Sequence, residues 1–321
     1  MSKHVSRREF LSSAATLATA VPILASAAPA PRRGPFRGTL CFFSKPVPQL
    51  NWRELAVSAK NAGFGGIDLT VRRHGHVLPE RVATDLPRAV ADIRDAGLEV
   101  PMITTELHSA DDPAAESIIS TASKLSIPYL KPGYYRYKYV NVVKELDEAG
   151  QKFRGLVALA GKHRVQVGYH NHPRCVGAPV WDLAKILEPI DPRWSGYYFD
   201  LGHATGDGGE SCWKISTNLV MPRLKIIGAR DIIWRTEGPH QWRVDDCAIG
   251  QGMCHWNEFL RTLAQSNFHG PVSLHIEYGV PGVMNKEGIA VSRAKAPDVM
   301  AVAKANLDSL KSLLREAYEE A

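Results

Sequence analysis

Beginning at Gly38, short apolar runs alternate with longer runs in which apolar residues recur at helical spacing. The short runs are Thr39–Phe43, Gly66–Val71, Glu99–Thr105, Tyr129–Lys131, Val165–His170, Gly196–Asp200, Leu224–Asp231 and Val272–Glu277. Between them lie predicted helices that begin near Asn51 and Pro79, follow Asp111-Asp112-Pro113, and cover about 142–162, 180–187, 212–220, 256–265 and 297–317. Asn51 is placed to cap the first helix and Gly63 to end it. A long excursion separates the seventh short run from its helix. Strands alternating with helices predict parallel pairing. Eight such units predict an α/β chain forming one (β/α)₈ TIM barrel over residues 38–321, rather than an open doubly wound sheet. No G-x-G-x-x-G follows the first strand, which argues against a dinucleotide fold.

The first 37 residues break this pattern. Ser6-Arg7-Arg8-Glu9-Phe10-Leu11 precedes a mild Ala-rich run from Ala14 to Ala28, closed by small residues. A charged start, a short apolar stretch and an A-x-A-like exit predict a secretory signal peptide over residues 1–30, of twin-arginine type. The apolar run is too short and weak for a stable membrane span. Residues 31–37, rich in Pro, Arg and Gly, read as a linker. The expected location is therefore periplasmic or extracytoplasmic.

Composition changes the picture little. The chain has 321 residues, 45% of them hydrophobic and 22% charged, enough to bury a large core. The formal net charge is +6. Lys3, Arg7 and Arg8 against Glu9 put about +2 of it in the leader, so the remainder is mildly basic. Basic runs interleaved with aromatics are absent, and no nucleic-acid partner is expected. The five cysteines include no C-x-x-C pair and read as scattered small apolar residues rather than a disulfide framework.

The informative residues close the strands. In a (β/α)₈ barrel, reactive groups gather at the carboxyl ends of strands. Here those ends read Thr104-Thr105-Glu106-Leu107-His108, Tyr169-His170-Asn171-His172-Pro173, Asp200-Leu201-Gly202-His203, Arg230-Asp231 and His275-Ile276-Glu277-Tyr278. Residues two apart share a face of a strand, so His170 pairs with His172 and His275 with Glu277. Burying so many ionisable groups without partners is costly, and a shared cation would offset that cost. Imidazoles with carboxylates suit one divalent ion: Mn²⁺, Co²⁺, Zn²⁺ or Mg²⁺.

The motifs Tyr-His-Asn-His-Pro, Asp-x-x-His, Arg-Asp and His-x-Glu resemble the xylose-isomerase-like barrel superfamily of sugar isomerases and epimerases, in its Y-H-N-H branch, over about residues 38–316. The resemblance implies one divalent ion held from the fifth to the eighth strands. It maps the ligands onto His170, Asp200 and Glu277. The family's seventh-strand His falls on Gly228, which has no side chain to ligate, and His203 is the candidate to replace it.

The implied reaction is removal of a proton beside a carbonyl, through an enediolate, on a small-molecule sugar. Glu277 is expected as ligand and acid/base, with His170 or Glu106 as the opposing catalytic group. His172, His203, Arg230, Lys131 and His76 are expected to hold the substrate. His74 is a loop residue beside His76, and Trp234, Trp242 and Trp256 are candidates to stack on sugar faces. Two other functions remain open: a lyase or dehydratase acting on 3-keto-sugars or inososes, and a non-catalytic sugar-binding barrel, the latter motivated by Gly228. The modest charge argues against a nucleic-acid endonuclease.

Overall fold

A computed structural model describes residues 34–320. The leader and residues 31–33 of the linker lie outside the described residues. Eight parallel strands close into a barrel: β1 (Leu40–Phe43), β2 (Gly66–Val71), β3 (Glu99–Thr105), β4 (Tyr129–Lys131), β5 (Gln166–His170), β6 (Ser195–Asp200), β7 (Leu224–Ala229) and, last in the chain, β10 (Val272–Leu274). Round the ring they run β1, β10, β7, β6, β5, β4, β3, β2. The outer helices are α1 (Trp52–Ala62), α2 (Val82–Asp95), α3 (Ala115–Lys124), α4 (Val142–Lys162), α5 (Val180–Leu187), α6 (Leu201–Val220), α7 (Trp256–Gln265) and α8 (Ala296–Arg315). The closed ring excludes the open-sheet alternative.

Local chemistry explains the helix ends. Asn51 and Glu54 form a reciprocal capping box, each side chain accepting the other's backbone N–H. Gly63 ends α1 with φ +94°, a left-handed conformation that costs glycine nothing. Apolar faces of the helices pack onto the strands through buried residues such as Leu55, Leu86, Ile119, Phe153, Phe259 and Leu310. The barrel interior is partly polar. Asp68, fully buried, accepts hydrogen bonds from Thr104, Ser273 and Tyr198 on three other strands. The five cysteines are free. No helix among the described residues is long and apolar enough to cross a membrane.

Several boundaries differ from the sequence reading, and the eighth strand ends at Leu274, leaving His275 and Glu277 beyond it. The helix after β6 begins at Leu201 rather than near Cys212, because Asp200 caps it by accepting from the His203 N–H at 3.0 Å. It bends at Gly208 and Gly209, whose backbone is not helical. The long excursion is a hairpin of β8 (Asp231–Gly238) and β9 (Gln241–Cys247). Asp231 therefore opens β8 instead of closing β7.

The buried Asp231 carboxylate also folds the next loop back. It accepts from the backbone N–H groups of Ile232, Gly250, Gly252 and Cys254 at 2.9 to 3.2 Å. Gly252 is needed there, since a Cβ would stand 2.2 Å from an Asp231 oxygen. Removing the carboxylate orphans several N–H groups, each costing roughly 1–3 kcal/mol where buried. Asp231→Ala should therefore lower unfolding stability by at least about 2 kcal/mol in urea titration. A loss below about 0.5 kcal/mol would show that water replaces the carboxylate without penalty.

Candidate active site

The carboxyl ends of the strands surround a central cavity of about 200 Å³. Its walls include Phe43 and Lys45 after β1, Lys131 from β4, His170 and His172 from β5, Tyr198 from β6, and His275 and Glu277 after β10. A wider cleft of about 940 Å³ opens beside it and shares Arg72, Lys131, Tyr134 and Arg136 with it.

One continuous polar network organises the cavity. Arg230, 4% exposed, reaches along the strand ends and joins two carboxylates. Its Nε donates to Asp200 Oδ2 at 2.8 Å and its Nη2 to Glu277 Oε2 at 2.6 Å. Nη1 donates to Asp246 at 3.2 Å. Lys45 forms an ion pair with the other Glu277 oxygen. Nη2 also donates to His275 Nδ1 at 2.8 Å. Arginine cannot accept, so Nδ1 is the unprotonated nitrogen of His275. Its Nε2 then donates to Tyr198 at 2.8 Å, and the Tyr198 hydroxyl donates a hydrogen bond to Asp68 at 3.3 Å.

Burial by itself would raise the Glu277 carboxyl, but the Arg230 guanidinium and the Lys45 ammonium overcome it and hold it well below the usual range. Burial likewise opposes ionisation of Asp200. The Arg230 guanidinium and the hydrogen bond from His170 prevail there, and it too is held well below its ordinary value. Both groups are carboxylates at neutral pH.

His170 Nε2, Asp200 Oδ2 and His203 Nε2 form the candidate metal site. Ligand atoms of these three buried residues lie within 4.8 Å of one another. Burial lowers His170 to about 3 and pushes His203 well below its ordinary value, which leaves both imidazoles neutral, the form that ligates metal. His203 Nε2 is buried and has no hydrogen-bond partner. Tyr134 pins the other side of His170 through Nδ1 at 2.8 Å, an outer contact that fixes a ligand ring. Asn171 clamps the Asp200 backbone in both directions, at 2.7 and 3.0 Å. These residues fit a divalent ion with two nitrogens and one carboxylate.

Gly228 contributes nothing to this set and has no room to. It lies in register with Asp200, and a Cβ on it would stand 3.0 Å from Asp200 Oδ2 and 3.1 Å from the Tyr198 ring. Glu277, expected as a ligand, lies outside the group, its carboxylate taken by Arg230 and Lys45.

Of the other expected residues, the structure brings His172 and Lys131 to the cavity wall, and Arg230 into the network behind it. His172 rests against His203, with ring centroids 4.8 Å apart. Two expectations need correction. Glu106 is half-exposed, faces Arg73 at 3.7 Å and lines the wide cleft rather than the cavity, because its strand turns outward after Thr105. It does not oppose Glu277 across the cavity. His76 does not line the cavity. Its ring is tied to Val47 O at 3.1 Å and Thr70 Oγ1 at 3.3 Å, so it holds the β2 loop in place. His74 adopts a left-handed backbone in that exposed loop. Trp256 is core, while Trp234 and Trp242 meet edge to face on the exposed hairpin.

Sequence reasoning missed Tyr134, Tyr198, Lys45, Arg72 and Arg136. Tyr198 shares the face of Asp200, two residues on, and that parity was a usable signal. Lys45, Arg72 and Arg136 sit in loops without periodicity.

A family model for the xylose isomerase-like TIM barrel matches residues 57–310. The chain belongs to the xylose isomerase-like TIM barrel family. The uncharacterized protein MJ1311 of Methanocaldococcus jannaschii is 25% identical over 160 residues, 49% of this chain. The match spans about half of that relative, 52% of its length.

Three solved structures share the barrel at a TM-score of 0.64. A xylose isomerase-like TIM barrel protein of Mycobacterium smegmatis in complex with magnesium is 14% identical and covers 88% of this chain and 98% of its own. D-psicose 3-epimerase of Clostridium cellulolyticum, with D-tagatose, is 11% identical over 86% and 99%. The probable 3-DHS dehydratase AsbF of Bacillus anthracis is 15% identical over 85% and 98%. At these identities the likeness shows the fold.

The His76 geometry carries a pH prediction. Burial lowers this imidazole from 6.5 to about 4. The folded protein therefore resists a proton that the unfolded chain accepts near 6.5, and stability falls as pH drops through 6.5 toward 4. Between pH 7 and pH 5 the contribution of His76 amounts to at most about 2 kcal/mol. His76→Gln, compared with wild type by denaturant titration at the two pH values, should show the smaller loss. Equal losses would mean that the ring is solvated in the folded state.

Proposed function

We propose that this protein is a sugar isomerase or epimerase that removes a proton from carbon beside a carbonyl, with Glu277 as the base and a divalent ion bound by His170, Asp200 and His203. The observation that carries this reading is Glu277 itself: an ionised carboxylate on the cavity wall, held by Arg230 and Lys45 at fixed orientation. The family and its neighbours with epimerase and dehydratase activities support the same chemistry.

When bound, a divalent ion supplies Lewis-acid polarisation of substrate oxygens. The chain's own residues do the rest. Glu277 accepts the carbon-bound proton and can return it to the neighbouring carbon or oxygen on the same face. Arg230 and Lys45 keep the base ionised and aimed. His172 and Tyr134, beside it on the wall, are placed to hold hydroxyls. Phe43 stacks on His275 at 4.4 Å and presents an apolar edge that keeps water from the reacting carbon. We also propose that the protein is exported by the twin-arginine route, on the strength of its Arg7-Arg8 leader, and meets its sugar outside the cytoplasm.

One observation favours a lyase or dehydratase as the second reading. Glu277 is the single carboxylate on the cavity wall, since Glu106 faces the wide cleft. Inversion at carbon needs a proton donor on the opposite face, whereas isomerisation and β-elimination need only one base. Both readings begin with the same proton removal.

Two experiments test the proposal. Glu277→Gln should abolish exchange of the substrate α-proton with deuterated solvent, by at least about 100-fold; undiminished exchange would reject Glu277 as base. Proton NMR of the products then separates the readings, because elimination leaves an alkene. For the metal, Zn²⁺ or Co²⁺ should raise the melting temperature of wild type and of Glu277→Gln, with Mg²⁺ weaker because two of three ligands are imidazoles. His203→Ala should lose that rise. A rise retained in His203→Ala and lost in Glu277→Gln would place the ion with Glu277 instead.

A further inference from the structure

The wall between the central cavity and the wide cleft carries three basic side chains that make no ion pair among the described residues. Lys131 is 3% exposed and lines both spaces. Arg72 and Arg136 line both as well. Among the described residues none of these three makes an ion pair. The contacts they do make are with rings: Lys131 Nζ lies 3.4 Å from the Tyr134 ring centroid, and the Arg72 guanidinium 5.9 Å from that of Phe43. The nearby carboxylates are occupied elsewhere. Glu277 is held by Lys45 and Arg230, and Glu106 faces Arg73. Asp68 accepts from Thr104, Ser273 and Tyr198 below the cavity. Glu80 and Asp112 line only the wide cleft, and Asp112 is spent on the N–H groups of His108 and Ser109.

A buried ammonium beside a guanidinium, with no anion between them, is an unfavourable arrangement unless something else supplies the charge. Burial and Arg72 together lower Lys131 from 10.5 to about 7, the cost of that arrangement in the free protein. In the folded ring, β4 and β10 stand opposite each other, four places apart in either direction. Lys131 therefore faces the side of the cavity that carries Glu277.

We propose that the substrate is an anionic sugar whose oxyanion, a carboxylate or a phosphate, binds Lys131, Arg72 and Arg136 where the two spaces meet. The acidic C–H then lies toward Glu277, and the wide cleft takes whatever extends beyond the charged group. The cavity alone, at about 200 Å³, is below the usual range for a small-molecule site, whereas the two spaces together accommodate a molecule larger than a single hexose. This deepens the isomerase reading and rests on it only for the direction in which the substrate lies. The charge argument holds for any sugar bound here.

Binding, measured by isothermal titration calorimetry on the full chain, tests it apart from turnover. The probes are a neutral hexose, the matching hexuronate and the matching hexose 6-phosphate. One or both anions should bind roughly tenfold or more tightly than the neutral sugar, and the tighter of the two identifies the oxyanion. Lys131→Met should erase that preference. Arg136→Gln, at an exposed position where folding is not at risk, should reduce it several-fold and covers the case in which Lys131→Met fails to fold. Glu277→Gln should keep the preference while losing proton exchange, so failure of the reaction reading and failure of the anion site give different results. Equal affinities for the three sugars, no binding by any of them, or an anion preference unchanged in both cation variants would overturn the proposal.

Discussion

The site depends on one buried guanidinium. Arg230 lies between Asp200 and Glu277, touches His275 and reaches Asp246, and so ties the ends of three strands together. Such a cation is tolerable in the interior only if carboxylates surround it, and those carboxylates are tolerable only because the cation is there. Space had to be made for it. A Cβ at Gly202 would stand 2.5 Å from the Arg230 side chain, so the second residue of α6 is glycine to leave room for the guanidinium's stem.

The Arg230 network divides the labour among the carboxylates. Asp200 faces inward to His170 and His203, whereas Glu277 is turned toward Lys45 and the cavity. A barrel with three carboxylates about one ion would carry little net charge. Here the candidate ion has one carboxylate and two neutral imidazoles, and cations stand on both sides of the cavity. The electrostatic balance shifts toward positive at Lys131, which lines the cavity and makes no ion pair among the described residues. Gly228 is part of the same arrangement: Tyr198 and Asp200 fill the volume that a ligand at that position would need.

Much of this was legible from strand ends. The alternation of eight short apolar runs with helices gave the closed parallel ring, because a buried parallel strand must be apolar on both faces and needs a crossover helix. Period-two parity put His170 with His172 and His275 with Glu277. Asp-x-x-His was expected as a pair of ligands; the structure adds that Asp200 caps α6, which brings His203 back beside its carboxylate. Glu106 and His76 misled because each lies in a loop whose path the strand pattern does not determine: Glu106 turns to Arg73, and His76 is tied back to Val47 and Thr70.

The sequence by itself determined the ring of strands, the ends at which chemistry gathers, and which ionisable residues stand at those ends. These are local properties, set by periodicity, capping and steric limits within a few residues. Only the tertiary structure decided the pairings: that Arg230 and Lys45 hold Glu277 apart from the candidate metal site, that His203 keeps a nitrogen without a partner, and that Lys131 is left without an ion pair. Those outcomes depend on distances between residues from 30 to more than 200 positions apart. Electrostatic preference at such a distance exists only once the barrel has closed and excluded the water that would otherwise screen it.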